Sequence, residues 1–259
     1  MRRIPFGILI MLAGALQWTG CSVKEYREAC PCRLVLDLSE VDTAVVRAAD
    51  LYVSVPDGYV HADVIEDEFI GKEYVLDVPR TVLNVSISDG ASSMISEDGL
   101  NIPLGDECPP VFMHSSVINA DCEMWREVVR MRKNHCVIDM YVKGEESYDA
   151  RLTVKGGIEG YDALGRPQDG LFECGRYPDP EGRCRITVPR QKDDSLVLEI
   201  DDGSGVMKCF ALGAYIESAG YDWTAPDLED ISMVLDFAVS HIALKIQGWE
   251  EEFVFDVII

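Results

Sequence analysis

Nine cysteines, four histidines and a large excess of acids are the groups in this chain able to do chemistry. Cys21 has the most specific setting. Arg2 and Arg3 precede a nearly unbroken apolar run from Ile4 to Leu16, and Gln17-Trp18-Thr19-Gly20-Cys21 follows it. A basic start, an apolar stretch of about a dozen residues and small residues at the cut form the layout of a secretory signal. The stretch is shorter than the roughly 20 apolar residues that span a bilayer. Thr19 and Gly20 directly before a cysteine resemble a lipobox, although Trp18 stands where an aliphatic residue is usual. Residues 1–20 are therefore read as a bacterial lipoprotein signal peptide, and Cys21 as the lipidated residue. Several acyl chains on one cysteine, at about 0.8 kcal/mol per buried CH2, hold a protein stably on a membrane. The competing reading is an ordinary signal peptide with an incidental cysteine.

Eight cysteines follow: Cys30, Cys32, Cys108, Cys122, Cys136, Cys174, Cys184 and Cys209. An even number in an exported chain permits disulfides, and sequence cannot choose among their 105 full pairings. Cys174 and Cys184 flank GRYPDPEGR, whose two prolines and two glycines are turn chemistry. Such a turn would bring them together across a hairpin, so they form the candidate disulfide. Cys30-Pro31-Cys32 lacks the CxxC spacing of redox or metal motifs, and no second pair or histidine cluster answers it.

No catalytic centre emerges. His61, His114, His135 and His241 are scattered, and no HExxH, GxSxG or GxxxxGK[ST] pattern is present. Val154–Tyr161 is glycine-rich but lacks GxGxxG spacing, and it is read as a strand-end turn. Asp193-Asp194 and Asp201-Asp202 lack the spaced ligands of a calcium loop and are read as solvated turn acids. Carboxylate pairs for glycoside hydrolysis meet only in a fold, so sequence leaves them open. The expectation is no catalytic residue, no metal, no cofactor and no enzyme. The net charge of −23 becomes −25 once residues 1–20 take away two arginines and no acid. That charge repels nucleic acid and anionic headgroups, so neither is expected as a ligand.

The elements that must position these groups are strands. Alternating runs recur at RLVLDL (33–38), DLYVSV (50–55), EYVLDV (73–78), TVLNVSIS (81–88) and VFMHSSVI (111–118). They continue at CVIDMYV (136–142), ARLTVKG (150–156), CRITVPR (184–190), SLVLEID (195–201), MKCFALGAYI (207–216), SMVLDFAV (232–239) and HIALKIQGW (241–249). In EMWREVVRMR (123–132), Met124, Val128 and Met131 fit one helical face and Trp125 and Val129 another, so a helix is the alternative, and the run is read as a strand. Residues 89–110 have the weakest apolar density and are read as a long loop. TAVVRAADLYV begins with a helical turn, and Thr224–Asp230 caps a short turn. Strand spacing near 8–12 residues suits antiparallel sandwiches. The polar Lys133-Asn134-His135 places a boundary between an N-terminal sandwich at 21–134 and a C-terminal one at 135–259. In the final run EEFVFDVII, Phe253, Phe255, Val257 and Ile259 share one face.

Three features taken in order carry a resemblance: CSVKEYREACP at the lipobox, RLVLDL directly after it, and GYDWTAPDLEDI followed by alternating strands and GWEEEFVFDVII. Together they look like the Bacteroidetes fimbrial anchor family, the lipidated base subunits of type V pili. The resemblance implies an all-β chain of two transthyretin-like antiparallel β-sandwich domains in tandem, in agreement with the strand count. It implies other fimbrial subunits as partners and the outer membrane as the location, reached through the lipid, with the protein exposed on the surface. Pilins of this kind polymerise by strand exchange, in which main-chain hydrogen bonds give affinity and side-chain pockets give specificity. An anchor that keeps its first strand keeps its own groove filled, and growth stops there. The C-terminal strand would either complete the second sandwich or enter a neighbouring pilin. Two alternatives stand beside the anchor reading: a shaft or tip pilin of the same fold, and a surface glycan-binding lipoprotein using Trp125, Trp223 or Trp249 as an aromatic platform.

Overall fold

Alternation of apolar and polar residues puts one face of each short strand into a core, and the chain folds as strands throughout. The computed structural model describes residues 30–256 apart from 56–57, 59, 67, 90–94, 97–98, 144–148, 202, 204–206, 237–240 and 247–252.

The first half contains β1 (Cys32–Asp37), β2 (Ala49–Ser54), β3 (Val60–Ile65), β4 (Glu73–Val78) and β5 (Val82–Asp89). Two short strands follow, β6 (Ile95–Ser96) and β7 (Gly99–Asn101), then β8 (Phe112–Asn119), β9 (Met124–Val128) and β10 (Arg132–Lys133). One sheet has the order β4-β1-β9, and the facing sheet has the order β10-β8-β5-β2-β3. Leu34, Leu36, Leu51, Val53, Leu83, Val85 and Ile87 fill the space between them.

The second half runs β11 (His135–Lys143), β12 (Arg151–Tyr161), β13 (Pro167–Arg176), β14 (Arg183–Pro189), β15 (Val197–Asp201) and β16 (Met207–Phe210). A short helix, α1 (Leu212–Ser218), precedes β17 (Ile231–Asp236), β18 (His241–Ile246) and β19 (Phe253–Asp256). Its sheets are β14-β11-β17-β18-β19 and a second built on β16-β15-β12, with β13 on the other side of β12. Ile138, Met140, Leu152, Val154, Phe172, Ile186 and Leu198 lie in its core.

The same wiring occurs twice. In each half the first strand lies between an antiparallel partner (β4 or β14) and a parallel one (β9 or β17). The facing sheet repeats as β3-β2-β5-β8 and β13-β12-β15-β16. The second half then adds β18 and β19 beyond β17.

Three sequence expectations are corrected. Residues 89–110 are not simply a loop: β7 pairs with β12 of the second half, and Leu100, Ile102 and Cys108 join that core. MKCFALGAYI is not one strand but β16 followed by α1, with Leu212, Gly213 and Ile216 facing inward at helical spacing. The glycine-rich 154–161 stretch is no turn but the body of β12. A Cβ at Gly160 would sit 1.9 Å from the Leu100 carbonyl oxygen, so glycine there lets β7 lie against β12.

Candidate functional site

The seat of the first strand is one functional feature. β1 has six register partners on β4 and five on β9. Cys32, Leu34 and Leu36 point into the core with no exposure. On the outer face Arg126 of β9 bridges Asp37 of β1, at 2.9 Å, and Glu73 of β4. Hydrogen bonds to Ser39, then to Arg126, hold the Asp37 carboxyl below its ordinary range. At the start of the strand, the Arg33 amide donates to the Glu123 carbonyl at 3.0 Å. This contact carries Cys122 to Cys32, and their sulfurs lie 3.8 Å apart.

The junction between the halves is the other. GYDWTAPDLEDI, singled out in the sequence, forms a loop that grips the linker at 132–137. Arg190, at the end of β14, is its centre. Its guanidinium donates to the Asn134 side-chain oxygen at 2.8 Å, the Ala225 carbonyl at 2.7 Å, the Pro226 carbonyl at 3.1 Å and the Trp223 carbonyl. Tyr161, fully buried, donates its hydroxyl to the Asn134 carbonyl and accepts from the Arg190 amide at 2.8 Å. Asp227 pairs with Arg132 at 2.8 Å and accepts from the Lys133 amide at 2.9 Å. Asp230 pairs with the Lys133 ammonium at 2.6 Å and accepts from the Val137 amide at 2.8 Å. The turn expected to be capped within Thr224–Asp230 is capped instead by Asp222, which accepts from the Thr224 amide at 2.8 Å. The grip on the linker had no local signal.

Cys21, Val257 and Ile259 lie outside the described residues, as does Trp249. Phe253 and Phe255 lie on β19, whose backbone pairs antiparallel with β18 at the edge of the second half's sheet. Cys174 and Cys184 correct the hairpin expectation. Cys174 is on β13, which pairs with β12, and Cys184 is on β14, which pairs with β11. Their connection crosses between sheets because each strand already has its partner elsewhere. Both side chains are buried in one core. Burial, and then the neighbouring Cys174, push the Cys184 thiol up to about 12.

The aromatic platform is not assembled from the described tryptophans. Trp223 is 4% exposed and packs edge-on to Tyr221 at 4.7 Å, while Trp125 is half-buried with its indole N–H on Glu127 at 3.1 Å. Among the described residues no group of three or more histidine, cysteine or acidic side chains is placed to hold a metal. Among the same residues, no helix is long and apolar enough to cross a membrane.

No protein-family model matches the chain, and no curated protein sequence matches it. Solved structures do. One is a candidate polysaccharide-binding protein from Bacteroides thetaiotaomicron, with a TM-score of 0.62 at 13% identity over 88% of this chain and 98% of that one. Another is the fimbrial anchor protein Mfa2 from Porphyromonas gingivalis, with a TM-score of 0.58 at 14% identity over 85% of this chain and 98% of that one. A third is a candidate adhesin from Bacteroides thetaiotaomicron, with a TM-score of 0.57 at 13% identity over 85% of this chain and 97% of that one. The fold is that of the Bacteroidetes fimbrial anchor and adhesin proteins. The shared fold spans both halves of the chain, since the likeness covers 88% of it in the first case and 85% in the other two.

Proposed function

We propose that the chain is a lipid-anchored fimbrial subunit that attaches a type V pilus to the outer membrane and limits its length. The observation that carries this reading is the seat of β1. The strand already lies between β4 and β9, so the groove that a neighbour's strand would enter is occupied by the subunit's own chain. A subunit in that state ends a strand-exchange series. It still engages the pilus by offering a sheet edge, where backbone hydrogen bonds supply affinity and side-chain pockets specificity. The fold shared with a fimbrial anchor over 85% of this chain supports the same reading.

The lipid on Cys21 would supply the membrane link. Cys21→Ala is expected to move the protein from the membrane fraction to the soluble one, and fimbriae to be shed into the medium. The unchanged protein, extracted from outer membranes, is expected to co-purify with a ladder of pilin subunits and to begin at a lipidated Cys21. A mature chain that has lost residues 32–37 would mean a shaft or tip subunit. A Cys21→Ala protein that stays membrane-bound would end the anchor reading.

A further inference from the structure

Cys32 and Cys122 are 90 residues apart in sequence, yet their sulfurs lie 3.8 Å apart. The approach is built into the sheet. Cys32 opens β1 opposite Val78 of β4, and its neighbour Arg33 is in register with Met124, the first residue of β9. Cys122 sits at the bend just before β9, where its thiol donates to the Met124 carbonyl at 3.1 Å. Cys32 is fully buried beside Leu34, whereas Cys122 is partly exposed and Cys30 is exposed. At that separation the two sulfurs are in van der Waals contact, and a bond would draw them to about 2.05 Å.

We infer that Cys32 and Cys122 form a disulfide in the exported protein, tying the first strand covalently to the start of β9. Burial, and then the adjacent Cys122 thiol, push the Cys32 thiol up to about 11, so the more accessible Cys122 is the first to react. The oxidant is a disulfide, carried by a protein or a small thiol. The Cys122 thiolate attacks it and expels one thiolate, leaving a mixed disulfide. The Cys32 thiolate then attacks the Cys122 sulfur and expels the second. The pair loses two protons and two electrons, and the oxidant is reduced to two thiols. The oxidising compartment rests on the export reading above, whereas the pairing rests on the sheet alone. The bond would make β1 a strand the subunit cannot release, even if the chain were cut between β1 and β2.

The test is peptide mapping of the full chain isolated from its own cells without reductant, with free thiols alkylated before digestion. Trypsin with Asp-N releases Cys122 on the 121–126 fragment, away from Cys108. The expected product links 121–126 to 28–33, survives Cys30→Ser and vanishes in Cys32→Ala and Cys122→Ala. Its reduction is expected to lower the thermal midpoint by about 10 °C, as for a large closed loop. If the cellular protein carries thiols but oxidised glutathione forms the same link in the purified protein, the pair stands and the export reading falls. Free Cys32 and Cys122 after both treatments, or a bond that takes Cys30 in place of Cys32, would overturn the proposal.

Discussion

His135 shows how a single side chain couples this fold to pH. It is 5% exposed, with its Nδ1 3.1 Å from the Val111 carbonyl and its ring edge-on to Phe112 at 5.3 Å. Burial lowers its pKa below 6.5, with Lys133 in the same direction and the Val111 hydrogen bond and Asp230 opposing. A histidine held neutral in the fold leaves stability intact above the unfolded value. Stability is lost as pH falls through that value towards the folded one, because the unfolded chain takes up a proton that the fold resists. The thermal midpoint is therefore expected to fall between about pH 7.5 and about pH 5. His135→Asn, which keeps a donor for Val111, should fall less over that range. His114, also lowered chiefly by burial, should preserve part of the effect. A slope unchanged in the variant would remove His135 from this role. Residues of this kind were poorly legible in the sequence. Cys32 and Cys122 meet only through the register of β1 on β9. Arg190 sits in an ordinary alternating run, and its acceptors are carbonyls 33–36 residues further on. The turn signal between Cys174 and Cys184 was real, but a turn does not say whether the strands beside it pair.

Strands were far more legible than sites, because a period of two is a local property. EYVLDV is β4, and RLVLDL, DLYVSV and VFMHSSVI fall within a residue or so of β1, β2 and β8. The misses have different causes. β7 is three residues long and held by glycine-permitted contact with a distant strand, so it carries too little pattern of its own. α1 continues an apolar run from β16, and a short apolar run does not distinguish strand from helix. The C-terminal strand can now be placed by its backbone. β19 pairs with β18 over four residues, and we propose that it completes the chain's own sheet. Deleting residues 252–259 should lower the thermal midpoint by about 5 °C or more and expose the 241–246 strand to protease. A variant that stays as stable and protease-resistant as the parent but no longer retains fimbriae on cells would instead show the strand working in a neighbour.

At the scale of the whole molecule, the two cores are joined by a polar grip and by the segment that pairs β7 with β12 and seats Leu100, Ile102 and Cys108 in the second core. Each core is mostly apolar, whereas the polar part of the junction depends on Arg190, Tyr161, Asp227 and Asp230 holding a short linker. Arg190→Met leaves the part-buried carbonyls of Trp223 and Ala225 without their donor, a loss of about 2 kcal/mol. The parent is expected to unfold in one calorimetric transition and the variant in two, as the halves lose their coupling. A single, merely lowered transition would show that the grip is not what couples them. Any pull applied through residues ahead of Cys32 enters the fold along the axis of β1, which is paired on both sides. Tension in that direction shears six register positions on β4 and five on β9 together, rather than peeling them one at a time. In the anchor role proposed above, a strand placed this way would act as a mechanical clamp, and the rate at which it yields under load, not the equilibrium stability of the sandwich, would set how long a tethered fibre is held.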